Sequence, residues 1–260
     1  MAVLENPEAY DFENFLISDG QNMVIVTTRV LEMQKERIVF VLPDLAYEKT
    51  CRRVKRHDAV GISAKLLQNG IMFQGFLSDF SAASFCIEIA GQPSQSFHWI
   101  NPDQPVNILF EKDGRLLYSG ECVIIRQGRS EAKRSFVLAP HGSNFSRYRK
   151  KEYRCLRHHT VPPPNITFRH PLTDKRVFLQ VADISSTGFA VEEFYDSSVL
   201  LPGTIIPEIS LEIASNFIIK CSAQVLYRNV VRTEQGETNV VRCGIALLDM
   251  DIRDQARLSA

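Results

Sequence analysis

Residues 177–194 read VFLQVADISSTGFAVEEF, with the hexapeptide Asp183-Ile184-Ser185-Ser186-Thr187-Gly188 between two apolar runs. Runs rich in valine, isoleucine and phenylalanine favour strands, whereas serine, aspartate and glycine favour tight turns. Within the hexapeptide, Asp183 offers an acceptor and Ser185 offers both a donor and an acceptor. Gly188 permits either a close approach of another segment or a positive φ. We therefore predict a strand, a polar turn and a second strand.

Short β-rich runs of the same kind recur on both sides of this stretch. In the N-terminal half the predicted strands cover residues 60–67, 71–80, 84–89, 106–111, 116–125 and 135–138. In the C-terminal half they cover residues 165–169, 176–184, 189–193, 205–213, 217–227 and 239–248. Many short strands at even spacing, separated by turn residues, indicate an all-β fold of the sandwich or barrel type.

The two ends of the chain carry different signals. Residues 7–18 predict a helix, because Asn6 can cap it and Pro7 suits its first position. Residues 24–28 and 38–42 predict a hairpin of two strands around a charged connector. After Asp251, a capped helix is expected that stops within about two turns, which is short for a helix and indicates a chain cut short after Ala260.

Residues 139–149 lack any apolar period and contain the turn formers Pro140, Gly142, Ser143 and Asn144. We place a domain boundary in this stretch. The prediction is an all-β protein with two small β-barrels in tandem and few short helices. A split-barrel-like domain covers residues 1–139, a basic linker covers 140–154, and a second barrel covers 155–260.

The linker leads into a strongly basic run. Residues 147–157 read RYRKKEYRCLR, in which six of eleven side chains are cationic, whereas the formal net charge of the chain is +0. A guanidinium group can contact guanine O6 and N7 together, stack on a base and bind phosphate bidentately. Arg149 and Arg154 are therefore the first candidates for ligand contact, and Lys150 can neutralise a phosphate as a point charge. Asp183 can accept from guanine N1 and N2.

Each segment also has a simpler interpretation. A basic run of this kind is often a solvated linker. The hexapeptide can be an ordinary turn in which Asp183 and Ser185 bond their own backbone and contact no ligand.

The basic run followed by Asp183-x-Ser185-x-x-Gly188 resembles the PilZ domain, the bacterial receptor for cyclic di-GMP. The fingerprint of that family is RxxxR on an N-terminal loop, followed by D/NxSxxG on a β-barrel. The resemblance covers residue 147 to the end of the chain, and the second motif matches in full. In the first motif Arg154 matches the second arginine, while Lys150 stands at the position of the first and Arg149 can substitute for it. The strand from Arg242 to Ile245 looks like the closing strand of the family, and we assign it no contact.

The resemblance implies a PilZ-like C-terminal barrel that binds cyclic di-GMP, preceded by a YcgR-like domain of the flagellar brake type. By analogy, the clamp on the ligand consists of Arg149, Lys150 and Arg154. The floor of the site consists of Asp183, Ser185 and Gly188. In the family, ligand orders the linker and reorients two β domains, which controls motility, biofilm or exopolysaccharide output. The implied protein target is a flagellar motor, a polysaccharide synthase, transcription machinery or another effector.

Other function classes are less well supported. Nothing resembles a signal peptide or a run of about 18 apolar residues, so a cytoplasmic protein without a membrane span is expected. Neither a nucleophile with its base nor a phosphate-binding loop is recognisable, which predicts a non-enzyme. His158 and His159 beside Cys155 lack a second ligand pair, so no metal site is expected.

Two alternatives to a nucleotide receptor stay open. One is a degenerate PilZ-like adaptor that binds protein partners without nucleotide, and it is favoured by the imperfect first motif. The other is a protein that binds single-stranded nucleic acid. The zero net charge and the lack of an aromatic ladder make nucleic acid an unexpected partner.

Overall fold

A computed structural model describes residues 14–18, 23–34, 37–41, 43–48, 54–90, 96–129, 133–141, 155–213, 217–233 and 236–259. The chain divides into two compact units, Met1–Arg53 and Val54–Ala260. The predicted boundaries at residues 139, 140, 154 and 155 remain a prediction, because most of the proposed linker lies outside the described residues.

The first unit consists of antiparallel strands. These are β1 (Asn14–Ser18), β2 (Met23–Thr27), β3 (Arg29–Gln34), β4 (Arg37–Val41) and β5 (Tyr47–Glu48). They form a three-stranded sheet in the order β1-β2-β5 and a separate hairpin of β3 and β4. The rings of Phe15 and Phe40 meet edge to face, with centroids 4.0 Å apart, and so connect the sheet to the hairpin.

Two predictions for this unit are wrong. Residues 14–18 were assigned to a helix, but they form β1 and pair with β2, Asn14 opposite Thr27 and Ser18 opposite Met23. Residues 7–13 of that helix lie outside the described residues. The partner of β4 is the supposed connector, β3, and not residues 24–28. In both cases pairing with a neighbouring strand satisfies the backbone, which outweighs weak local propensity.

The second unit begins with seven strands. These are β6 (His57–Asp58), β7 (Ser63–Gln68), β8 (Ile71–Phe80), β9 (Phe85–Ala90), β10 (Val106–Lys112), β11 (Arg115–Arg129) and β12 (Lys133–Pro140). Their order is β6-β8-β7-β10-β11-β12-β9, and β8 also pairs with β9. That last pairing closes β7 to β12 into a ring of six strands, which we call the first barrel. Its core is rich in fully buried aromatic rings, among them Phe73, Phe85, Phe110 and Tyr118.

Six further strands form a closed barrel, which we call the second barrel. They are β13 (Asn165–Arg169), β14 (Arg176–Ser185), β15 (Gly188–Phe194), β16 (Ile205–Ile213), β17 (Phe217–Thr233) and β18 (Gly236–Leu248). Alternate residues point inward, as a strand with one buried face requires; in β16, Ile209 and Leu211 are fully buried. The predicted all-β fold with two small barrels is confirmed.

The two barrels pack directly against each other within the second unit. Leu172 lies in the β13–β14 connection and Leu201 in the β15–β16 connection of the second barrel, yet both side chains are buried in the core cluster of the first. Phe80 of the first barrel stacks on His170 of the second. A β-bridge between Tyr118 and Thr204 adds backbone pairing at the same contact. This contact is therefore built like a protein core.

A short helix, α1 (Ile252–Ser259), follows the second barrel. The helix begins directly after Asp251, as predicted. The Arg253 amide donates to the Asp251 side chain at 2.8 Å, which is the bond expected of a capping residue. Leu258 packs on the core of the second barrel, and the Arg257 guanidinium lies 3.8 Å from the centre of the Phe217 ring. Within the described residues, no helix is long and apolar enough to cross a membrane.

Candidate functional site

The hexapeptide forms the predicted turn on the second barrel. Strand β14 ends at Ser185 and β15 starts at Gly188, so that only Ser186 and Thr187 lie between the paired strands. The register shifts between Val181 and Asp183, which marks a β-bulge. A bulge bends the strand and redirects the side chains after it. Asp183 is therefore placed by an irregularity that lies just before the turn.

Asp183 carries the only charge of the hexapeptide, and its side chain is just 4% exposed. A buried carboxylate is costly unless cations and donors compensate for the lost water. Arg157 provides one partner, with Nη1 donating to Oδ1 at 3.0 Å. Arg242 provides the other, with Nη2 donating to Oδ2 in a short contact. Each carboxylate oxygen thus accepts from a different arginine.

Both arginines have second contacts that help to fix their positions. Arg242 Nη1 donates to Glu192 Oε1 at 3.2 Å, across the β15–β18 pair. Arg157 Nη1 also donates to the Tyr227 hydroxyl at 3.4 Å, and this contact is the main reason that the pKa of Arg157 is raised above its usual value. Because Nη1 makes both contacts and the side chain is 48% exposed, much of the Arg157 guanidinium remains accessible.

The segment that follows the basic run is bonded to the hexapeptide. His158 and Ile184 form an antiparallel bridge, with backbone nitrogen to carbonyl oxygen distances of 2.8 and 3.0 Å. His159 Nδ1 lies 2.8 Å from the Ala182 carbonyl oxygen. At the turn itself, Thr187 Oγ1 donates to Cys155 Sγ at 3.9 Å. The chain directly after Arg154 therefore lies against the hexapeptide.

Ser185 and Gly188 have structural roles of their own. The Ser185 hydroxyl donates to the Gly188 carbonyl at 3.0 Å, which is the internal bond that the simpler interpretation anticipated. The hydroxyl oxygen can still accept from a ligand. A Cβ at residue 188 would lie 2.3 Å from the Ile245 carbonyl oxygen, so glycine is required here by the close approach of β18 and not by a positive φ.

The structure brings together only part of the predicted site. Asp183, Ser185 and Gly188 lie on one turn, as the sequence indicated. The predicted clamp residues Arg149, Lys150 and Arg154 lie outside the described residues, so their contact with a ligand remains a prediction.

Sequence reasoning assigned no role to Arg157, Arg242 or Tyr227. Arg157 was counted within the basic run, and Arg242 was noted in the closing strand. The requirement that a buried carboxylate be paired was a usable signal for both arginines. No comparable signal pointed to Tyr227, which approaches the site because its ring packs over Gly244, where a Cβ would lie 2.1 Å from the ring.

The site combines a cationic rim with a compact polar turn. The accessible part of Arg157 can bind phosphate or the acceptor edge of a guanine. Asp183 is almost fully buried and is held as an anchor for both arginines. Within the described residues, no three histidine, cysteine, aspartate or glutamate side chains are grouped to bind a metal ion. The arginine and the polar turn can therefore bind an anionic ligand that forms hydrogen bonds.

No protein-family model and no curated protein matches the chain. Among solved structures, the chain is similar to the MrkH–c-di-GMP complex of K. pneumonia, with 14% identity, 76% of this chain and 84% of that chain covered, and a TM-score of 0.36. The chain is also similar to YcgR from Escherichia coli in complex with c-di-GMP, with 14% identity, 76% of this chain and 80% of that chain covered, and a TM-score of 0.34. A third similar structure is the PilZ domain of Escherichia coli YcgR with c-di-GMP, with 15% identity, 42% of this chain and 86% of that chain covered, and a TM-score of 0.35. PilZ-domain cyclic di-GMP proteins are thus among the structures that this chain resembles, as the motifs predicted.

Proposed function

We propose that this protein is a bacterial cyclic di-GMP receptor without enzymatic activity. The observation that carries the proposal is the ion pair between Arg157, at the end of the basic run, and Asp183, in the hexapeptide. Together with the His158–Ile184 bridge, it joins the two segments whose order resembles the PilZ fingerprint. Two stretches that are separate in sequence therefore meet at one place on the second barrel.

In the proposed complex, the ligand lies between the basic run and the turn. Arg149 or Lys150, together with Arg154, binds guanine edges and phosphates from the linker side. Arg154 directly precedes Cys155, whose Sγ contacts Thr187 at the turn, so a short segment suffices to reach the site. On the barrel side Asp183 accepts and Ser185 accepts or donates, and the absence of a side chain at Gly188 keeps the turn close to β18.

The proposed response is that ligand orders the linker and changes the angle between two β domains. A change of this kind would alter which surface is presented to a protein target that controls motility, biofilm or exopolysaccharide production. Small-angle X-ray scattering with and without cyclic di-GMP tests this step. A ligand-dependent change in the scattering profile is expected. An unchanged profile at saturating ligand would exclude the reorientation while leaving the binding step intact.

Calorimetric titration of the purified protein with cyclic di-GMP tests the binding step. We expect saturable heat with cyclic di-GMP and much weaker binding of cyclic di-AMP, because adenine lacks the O6 acceptor and the N1 and N2 donors of guanine. The absence of heat at high micromolar cyclic di-GMP would contradict the receptor function.

One observation favours a second candidate, the adaptor that binds protein partners without nucleotide. The two polar side chains assigned to ligand contact already have partners within the protein, since Asp183 is paired with two arginines and Ser185 donates to the Gly188 carbonyl. A turn of this kind is stable without a ligand. If neither the parent protein nor Lys150→Arg gives heat with cyclic di-GMP, the adaptor function is supported in place of the receptor.

A further inference from the structure

A cleft lies at the contact between the two barrels. It has a volume of about 750 Å³ and is lined by the β10–β11 hairpin of the first barrel and by the β13–β14 hairpin and β16 of the second. This volume falls within the range of about 300–1,000 Å³ that is usual for small-molecule sites. All of its lining residues belong to the second compact unit.

This cleft is distinct from the site around Asp183. Both involve strand β14, but Arg176 at its beginning lines the cleft, whereas Ser185 at its end belongs to the turn. A ten-residue strand that rises about 3.3 Å per residue separates its two ends by roughly 30 Å. A ligand in the cleft therefore cannot also contact the turn.

The charges of the cleft come from opposing elements. Lys112 and Arg115 flank the β10–β11 turn, and Arg169 and Arg176 flank the β13–β14 turn. Arg169 is paired with Asp174 at 3.0 Å. Within the described part of the chain, Lys112, Arg115 and Arg176 form no ion pair. Three cations from two hairpins thus line one cleft.

The acidic side chains that line the cleft are fewer by one than the cations. Asp113 is at the tip of the β10–β11 turn, and Glu208 lies on β16. Both side chains are exposed, as are those of Arg115 and Arg176, so water and salt screen the charges of both signs alike. Within the described residues, the three cations that form no ion pair outnumber these two carboxylates, which leaves a surplus of one positive charge at the cleft.

The floor of the cleft is apolar and uncharged. Phe168 and Leu117 are buried beneath it. His170 is also buried, and burial lowers its pKa to about 4, so this side chain is neutral near pH 7. A low-dielectric floor strengthens the attraction between the cations and an anion bound above them.

From this arrangement we propose that the cleft binds a small polyanion, a molecule with two or more phosphate or carboxylate groups. A ligand with two anionic groups can contact Arg115 and Arg176 together and relieve the repulsion among cations from the two hairpins. A monovalent anion can pair with the cations of only one hairpin and therefore gains less binding free energy. Because the hairpins belong to different barrels, the bound polyanion also stabilises their contact.

The test is a titration of the whole chain with pyrophosphate and with citrate, followed by calorimetry and thermal unfolding. The double variant Arg115→Gln/Arg176→Gln removes one cation from each hairpin while keeping polar side chains of similar length. Arg253→Gln, which removes a single exposed cation of α1, controls for loss of positive charge away from the cleft. Arg154→Ala reports on binding at the proposed cyclic di-GMP site.

At least one of the two probes is expected to bind and to raise the melting temperature. The double variant should bind it at least tenfold more weakly, while Arg253→Gln and Arg154→Ala bind like the parent. Binding of pyrophosphate alone indicates a phosphate ligand, binding of citrate alone indicates a carboxylate ligand, and binding of both indicates recognition of charge. The proposal is overturned if neither probe binds at millimolar concentration, if the double variant binds like the parent, or if Arg253→Gln loses as much affinity.

Discussion

Phe80 and His170 stack at the contact between the two barrels, with ring centroids 5.2 Å apart and an angle of 9° between the ring planes. Leu172 and Leu201 are buried beside this pair in the core of the first barrel. Exposing one such leucine to water costs about 2 kcal/mol. A ligand that reorients the barrels against each other must therefore offset several kcal/mol through tighter binding to the reoriented state. A ligand with a dissociation constant of about 1 μM binds with roughly 8 kcal/mol, so only part of its binding energy would remain visible as affinity.

The buried imidazole of His170 predicts a loss of stability in mild acid. Its Nδ1 accepts from the Leu172 amide at 3.3 Å, so the neutral ring carries its proton on Nε2, 3.1 Å from the Val199 carbonyl oxygen. Burial lowers the pKa of His170 from 6.5 to about 4. Between these two pH values the unfolded chain binds a proton that the folded protein does not, so the free energy of unfolding falls as pH falls from about 6.5 to about 4.

Urea unfolding at pH 7.5 and pH 5.0 measures this effect. Over this interval the free energy of unfolding should fall by about 2 kcal/mol more in the parent than in His170→Gln. The reason is that pH 5.0 lies 1.5 units below the unfolded pKa of 6.5, and each unit corresponds to about 1.4 kcal/mol. His98→Gln, at an exposed histidine, should behave like the parent. Equal losses in the parent and in His170→Gln would show that His170 does not titrate as described.

The paired carboxylate of Asp183 predicts a large effect of removing one charge. Asp183→Asn keeps the shape of the side chain but leaves Arg157 and Arg242 without their shared anion. We expect the free energy of unfolding to fall by about 2 to 3 kcal/mol, less than for a fully buried pair because both arginines are partly exposed. Glu192→Gln removes an exposed partner of Arg242 and should cost less than about 1 kcal/mol. Similar losses in both variants, measured by chemical unfolding, would argue against a special role for Asp183.

Local patterns in the sequence predicted the hexapeptide turn and most of the strands. Residues 165–169 and 205–213 were predicted with the bounds observed for β13 and β16. The partners of Asp183 could not be predicted in the same way. Arg242 is 59 positions away and reaches Asp183 only because β15 pairs with both β14 and β18, a register that short-range patterns do not encode.

The failures at the N terminus have a similar cause. Residues 14–18 follow a helix-start signal at Asn6 and Pro7, yet these five residues pair with β2. A capping residue and a proline affect only the free energy of starting a helix. The tertiary structure decides whether a neighbouring strand is available for pairing instead, and a capping residue carries no information about that.

The departure from the family motif at Lys150 predicts a gain of affinity from a single substitution. If Lys150 occupies the position of the first arginine, Lys150→Arg restores bidentate contact and stacking and should tighten cyclic di-GMP binding, by roughly tenfold for about 1.4 kcal/mol. Calorimetry under identical salt conditions measures the change. If Arg149 already fills that position, Lys150→Arg leaves the affinity unchanged and Arg149→Ala weakens it.

Arg154 is the clamp residue that the motif alignment assigns without ambiguity. Arg154→Ala removes both the charge and the planar donor pair, and we expect cyclic di-GMP binding to be abolished. Arg253→Gln lowers the net charge by the same amount at a distant position and should bind like the parent. Binding of cyclic di-GMP by Arg154→Ala with parental affinity would show that the site assignment is wrong.

Gly188 and Gly128 provide a matched pair that tests why the hexapeptide ends in glycine. An added Cβ would lie 2.3 Å from another atom at both positions, but the atom is the Ile245 carbonyl oxygen at Gly188 and the Ser135 hydroxyl at Gly128. A hydroxyl can rotate away, whereas a carbonyl held in the β15–β18 ladder moves only with its strand. Gly188→Ala should therefore lower the free energy of unfolding by about 1 to 3 kcal/mol, and Gly128→Ala by clearly less. If urea unfolding gives equal losses for the two variants, the close approach of β18 is not what requires glycine at the turn.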